Sequence, residues 1–218
     1  MKTVLIISPH PDDDAFGCGG AIQHHKAKGD RVIVAVVTDG RLGSKTLSPE
    51  KLAPIREKEA LAAGKVLGVD YYVFLRFLEG KADIPRMTAK IRSLIANVKP
   101  YVIYCTHEAE YHYAHQVVAQ ATKQAAGRTE ILWYEVWNPL PDVDVIIDIT
   151  KYIGRKMAAL RKHRSQITAV RYDEAAKALN RYRGVMTATG DYAECFKSSR
   201  DRRPIPEKIK RLARKLFR

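Results

Sequence analysis

The 218-residue chain contains no apolar run approaching the roughly 18–20 residues of a membrane-spanning helix. It opens directly into a strand-like stretch, without the charged, apolar and small-residue succession of a secretory signal. Cysteine is scarce. Cys18, Cys105 and Cys195 are an odd number with no C-x-x-C spacing, which excludes a disulfide framework and fits a reducing, cytoplasmic setting. Internal repeats and low-complexity linkers are missing too. A dinucleotide-binding turn is excluded: Gly17-Cys18-Gly19-Gly20 is not G-x-G-x-x-G, and three carboxylates beside it would repel a pyrophosphate.

Negative charge is sparse at one end only. Residues 1–150 carry 18 basic and 18 acidic residues, whereas 151–218 carry 20 and 6, so the whole net charge of +14 sits in the last third. That asymmetry points to an anionic partner, whether phospholipid, nucleic acid or a phosphorylated substrate. Within it, Ile209, Leu212, Leu216 and Phe217 fall at helical spacing among Lys and Arg. This basic amphipathic helix is expected over 201–218, either lying on an anionic membrane surface or docking on its own domain. Nucleic acid ranks behind both, because the aromatics needed for base stacking are not interleaved with the charges.

What is present is a strand–helix alternation. Strands are expected at 3–8, 31–38, 71–77, 101–106, 130–136 and 143–149, several of them continuous apolar runs, as strands buried on both faces require. Helices are expected at 20–28, 49–67, 86–97, 111–126, 150–167 and 173–183. The pattern implies an α/β fold: a Rossmann-like open, mostly parallel sheet flanked by helices, with a basic helical C-terminal end. At this length the chain forms one domain, placed at 1–200.

Two segments carry chemistry. The first strand ends in Ser8-Pro9-His10-Pro11-Asp12-Asp13-Asp14, an imidazole and three adjacent carboxylates at the edge where open α/β sheets bind ligands. A divalent cation would relieve their repulsion, His and Asp being ordinary zinc ligands; the plainer alternative is a solvated turn with a capping Asp. A hundred residues later a second strand end runs into His112-Tyr113-Ala114-His115, whose two imidazoles share a face if the helix includes both. His24 and His25 read as bystanders on the polar face of the first helix.

These segments resemble the LmbE-like, or PIG-L-type, family of zinc-dependent N-acetylglucosaminyl deacetylases. Pro9 to Asp14 match its (A/P)HPDD(E/D) motif, and His112 to His115 its H-x-x-H. Thr38-Asp39-Gly40, the R-x-x-E of Arg56 and Glu59, His163-Arg164-Ser165-Gln166 and Tyr192-Ala193-Glu194-Cys195-Phe196 follow in the family's order, so the likeness spans residues 3–197. It departs from the family at Ala114, where an acidic residue is usual, and at Asp14, where many members carry Glu. Glu108 and Glu110 are the nearby carboxylates that could stand in.

The resemblance implies that His10, Asp13 and His115 hold zinc, iron(II) or another divalent ion being alternatives that ligand type alone does not separate. It implies that Asp12 is the general base and that a protonated His112 stabilises the oxyanion. Arg56, Asp39 and Asp14 are weaker substrate-binding candidates: Arg56 could instead pair with Glu59, Asp39 could cap a turn, and Asp14 could support a ligand from behind. Tyr111 and Tyr113 could pack on a sugar ring or belong to the core. His163 is expected to fix packing. The substrate implied is an N-acetylglucosaminyl glycoside or lipid-linked sugar, with acetate released. Two rivals are an amidase of the same fold acting on another acyl group and a non-catalytic membrane-surface module.

Overall fold

The structure, a computed structural model, describes residues 1–168 and 170–200. The basic segment expected at 201–218 lies outside them. Seven strands form one sheet: β1 (Thr3–Ser8), β2 (Arg31–Thr38), β3 (Tyr71–Phe77), β4 (Val102–Thr106), β5 (Glu130–Tyr134), β6 (Val145–Asp148) and β7 (Ala193–Ser198). Their order is β3-β2-β1-β4-β5-β7-β6. The first five run parallel, while β7 is antiparallel to both of its neighbours.

The apolar runs bury both faces. In β1, Val4 and Ile6 join one core layer and Leu5 and Ile7 the other; β2 divides its Val32–Val37 run the same way. The first layer packs under α1 (Asp13–Ala27), α2 (Pro49–Leu67), α5 (Ile153–Leu160) and α7 (Tyr172–Met186). The second packs under α3 (Ile84–Val98) and α4 (Tyr113–Ala125). No helix among the described residues is long and apolar enough to cross a membrane.

Several elements differ from expectation. Helix α1 begins seven residues early, at Asp13, so two of the three carboxylates lie in its first turn, where the helix dipole favours anions. Its glycines serve close approach: a Cβ on Gly17 would stand 2.1 Å from the Tyr134 ring, and one on Gly20 would stand 2.3 Å from Ile149. The helix expected over 150–167 is broken into a 3-10 turn (Thr150–Tyr152), α5 and a short α6 (Arg164–Ile167), with His163 at the break. His25 is not on a polar face; it is buried, bonded to Asp30 (3.0 Å) and to the Tyr104 hydroxyl (2.9 Å).

A buried clamp ties the far end of the sheet to α1. Glu194 on β7 accepts the N–H groups of Gly20 (2.8 Å) and Ala21 (2.7 Å), in the middle of the helix, and pairs with the fully buried Lys156 (2.7 Å). The helix that carries the site carboxylates is thereby pinned to the sheet.

Candidate active site and metal centre

The chain leaves β1 for β2 on one side and returns to β4 on the other, so the carboxyl ends of β1 and β4 flank the crevice where such sheets bind ligands. The turn after β1 is held rigidly. Thr38 donates both its N–H and its hydroxyl to Pro9 O (2.9 and 2.8 Å), and the Ser8 hydroxyl donates to His10 O (2.6 Å). The turn after β4 ends at His112, the N-cap of α4, which places His115 in the first helical turn. His112 is therefore not on the helix as expected, but its ring stays close to the other two.

Three atoms converge. His10 Nδ1, Asp13 Oδ2 and His115 Nε2 form a near-equilateral triangle with edges of 3.1, 3.2 and 3.2 Å, and all three residues are buried. Donors about 2.0–2.2 Å from a tetrahedral zinc ion stand roughly 3.3–3.6 Å apart, so the triangle comes within a few tenths of an ångström of holding such an ion. Two imidazole nitrogens with one carboxylate oxygen are also a donor set that zinc accepts. Donor atoms of His10, His112 and His115 likewise lie within 4.8 Å of one another.

The electrostatics favour a cation at that point. Burial disfavours charge on His10 and His115, yet Asp13, joined by Glu79 at His10 and by Glu110 at His115, outweighs it and raises both, His115 to about 10. Burial works against the Asp13 anion too, but His115 and His10 hold it well below the ordinary carboxylate value. Outer carboxylates back the ligands. Glu79 Oε1 lies 3.0 Å from His10 Nε2, and Glu110 Oε2 lies 3.6 Å from His115 Nδ1. Glu79 is itself lowered to about 2, because His10 overcomes the penalty of its burial.

Asp12 takes the N-cap position of α1 but makes no capping bond. Its Oδ1 instead accepts from Arg56 (2.8 Å), whose other terminal nitrogen donates to Gly40 O (2.8 Å). Arg56 is thus paired with Asp12 and not with Glu59, and it lines the cavity. Glu59 accepts from the N–H and the hydroxyl of Ser165 instead (2.8 and 2.6 Å), which anchors the segment carrying His163.

Two substrate-binding candidates do not line the cavity. Asp39 accepts from Arg41 Nε (2.6 Å) and from the Glu79 N–H (3.2 Å), and does not line the cavity. Asp14 is buried behind the ligands, where the Tyr72 hydroxyl donates to it (2.7 Å); burial, reinforced by Asp12 and Asp13, raises its pKa to about 7. His112 lies half-exposed at the cavity with a buried Nδ1 that has no hydrogen-bond partner. Burial and the nearby His10 and His115 lower its pKa, a direction opposed to the imidazolium that the resemblance implied.

The site opens on a cavity of about 580 Å³ whose lining includes the polar side chains of His10, Asp12, Asp13, Glu79, His112 and Gln166 together with several apolar ones. Glu79, Trp137 and Tyr172 escaped sequence reasoning. Glu79 sits in the turn after β3 without a motif, and Trp137 sits in a loop beyond β5. Tyr113 lines the cavity and Tyr111 is exposed, so neither belongs to the core. Glu108 pairs at the surface with Lys123, leaving Glu110 as the carboxylate that turns inward.

A mostly parallel open sheet with a buried His-Asp-His cluster at its switch point, backed by carboxylates and beside a tethered Asp, has the make-up of a metal-dependent hydrolase. The family described as GlcNAc-PI de-N-acetylase, PIG-L, matches residues 5–126, and the chain belongs to that family. It is 31% identical to the uncharacterized deacetylase YaiS of Escherichia coli over 75% of this chain and 91% of that one. It is 28% identical to a probable N-acetyl-alpha-D-glucosaminyl L-malate deacetylase 2 of Bacillus cereus, over 83% and 90% of the two chains. The structure of the conserved protein TT1542 from Thermus thermophilus superposes with a TM-score of 0.82 at 30% identity, covering 94% of this chain and 98% of that one.

Proposed function

We propose that the protein hydrolyses the acetamide of an N-acetylglucosaminyl substrate, releasing acetate, with a divalent cation, zinc foremost, held by His10, Asp13 and His115. The observation that carries this reading is the triangle of His10 Nδ1, Asp13 Oδ2 and His115 Nε2 beside a substrate-sized cavity. A cation held there supplies Lewis-acid polarisation of the acetyl carbonyl and of the attacking water.

The chain's own groups do the rest. Asp12 takes the proton of the water as it attacks the carbonyl carbon. Arg56 holds Asp12 Oδ1 in place, and Oδ2 makes no hydrogen bond among the described residues. The same carboxylate then delivers the proton to the departing nitrogen, which leaves as a free amine. His112 lines the cavity beside the ligands, where a ring N–H stabilises the oxyanion of the tetrahedral intermediate; one such donor is worth about 3 kcal/mol.

The test is acetate release from methyl, chitobiosyl and lipid-linked N-acetylglucosaminides, using wild type, Asp12→Ala and His115→Ala proteins with metal content measured alongside. Metal-dependent release lost in both variants is the expected result. A wild-type protein that takes up no divalent metal would end the proposal.

A further inference from the structure

Beside the His-Asp cluster, Arg56 and the Gln166 amide, the cavity is lined by Leu42, Tyr113, Trp137, Ile167, Val170 and Tyr172. Four of these are strongly exposed: Leu42 at 55%, Tyr113 at 63%, Trp137 at 47% and Val170 at 49%. A single exposed Leu needs no explanation, but large apolar side chains gathered around one cavity mouth mark a surface that something apolar covers.

The exposed indole is also held in place. The backbone N–H of Trp137 donates to the buried Glu110 carboxylate (3.1 Å to each oxygen), which fixes the loop, while the ring stacks on His112 (centroids 6.2 Å, 23°) and the Tyr172 ring meets it edge-on (5.5 Å). An aromatic fixed in position while still wet loses little further entropy when a ligand covers it.

Charge on the lining narrows the ligand further. Among the described residues Arg56 is the one Lys or Arg that lines the cavity, and both its terminal nitrogens are engaged by Asp12 and Gly40. A dicarboxylate aglycone, as in the malate-linked substrate named for the Bacillus cereus relative, would meet no Lys or Arg among the described lining residues except the Asp12-paired Arg56. A polyol would give up water to a lining that is mostly carbon, with the Gln166 amide and the Tyr113 and Tyr172 hydroxyls as the polar groups beyond the catalytic cluster.

We propose that the amino sugar accepted here carries an apolar aglycone, an alkyl or aryl group laid against Leu42, Trp137, Ile167, Val170 and Tyr172. This rests on the deacetylase reading of the site and adds the substrate class that the lining selects.

The experiment compares kcat/KM for methyl, octyl and benzyl N-acetylglucosaminides, as both anomers, with N,N′-diacetylchitobiose, on the metal-loaded full chain. Octyl and benzyl substrates should exceed methyl by at least about tenfold, since one buried methylene alone is worth roughly fourfold. Their ratio to each other separates an alkyl from an aryl preference. Val170→Asp and, at the exposed rim, Leu42→Ser should each lower the octyl-to-methyl ratio by about fivefold or more. Equal rates for methyl and octyl, or a preference for chitobiose, would overturn the inference while leaving the deacetylase reading intact. If no substrate is turned over, that reading fails by itself. Calorimetric binding of octyl against methyl N-acetylglucosaminide then decides the inference: tighter octyl binding upholds it, and equal binding overturns it.

Discussion

Glu110 Oε2 stands 3.6 Å from His115 Nδ1, both side chains sealed from solvent, while the same carboxylate accepts the N–H groups of Val136 (2.8 Å) and Trp137 (3.1 Å). One buried anion therefore backs a ligand imidazole and fixes the loop that carries the cavity's indole. Ala114 removes the acidic residue usual in the second motif, and Glu110 supplies a carboxylate from four residues upstream.

Glu110→Gln should weaken divalent-metal affinity by about 10–100-fold, the usual consequence of losing a carboxylate behind a ligand histidine. Competition titration against a chromophoric chelator measures it. Glu110→Ala should in addition cost about 1 kcal/mol of stability by leaving two partly buried N–H groups without their acceptor. Unchanged metal affinity in both variants would show that His115 is oriented by something else.

The first three strands were legible to the residue, because strands buried on both faces leave uninterrupted apolar runs: 3–8, 31–38 and 71–77 match β1, β2 and β3. The metal triangle was legible only through its motifs. Nothing in spacing alone says that His10 and His115, separated by 105 residues, meet at 3.1 Å. The start of α1 was hidden by composition, since three carboxylates followed by glycines resemble a turn. Their use in the helix depends on Tyr134 and Ile149, far along the chain. Strand β7 was hidden as well. Its run from Ala193 to Ser198 buries a Glu, and its place between β5 and β6 is a tertiary fact that chain order cannot show. Glu79 has no motif and is found only by its position beside His10.

Asp12→Asn keeps the shape of the side chain and its bond to Arg56 while removing the base. Acetate release should fall by about 10²–10⁴-fold, the usual worth of general-base catalysis, with bound metal unchanged. Parallel assay and metal quantification check this. Loss of metal together with activity would make Asp12 a ligand instead.

The Lys156–Glu194 pair should be the most sensitive structural contact away from the site. Both side chains are at most 2% exposed, and Glu194 also holds two N–H groups of α1. Lys156→Met strands a buried carboxylate and should cost about 3–5 kcal/mol in urea unfolding. Lys156→Met combined with Glu194→Gln should recover part of that loss, because the uncompensated charge is gone. A single variant as stable as wild type would mean that the carboxylate is neutral or hydrated.

Acid should weaken the fold through His163. The residue is 2% exposed at the break between α5 and α6, neither ring nitrogen has a hydrogen-bond partner, and burial pushes its pKa down to about 4. In the unfolded chain it returns to about 6.5. Between those values the unfolded state binds a proton that the folded state refuses. The stabilisation from keeping His163 neutral is therefore complete above about pH 6.5 and is lost as pH falls toward 4, at up to about 1.4 kcal/mol per pH unit. His163→Gln removes this dependence. Between pH 7 and pH 5 the wild type should lose roughly 2 kcal/mol more stability than the variant, read from urea midpoints. A chelator must be present for both proteins, because ligation by His10 and His115 is itself linked to protons. Parallel pH profiles would mean that His163 finds a proton acceptor in solution and that its burial is relieved there.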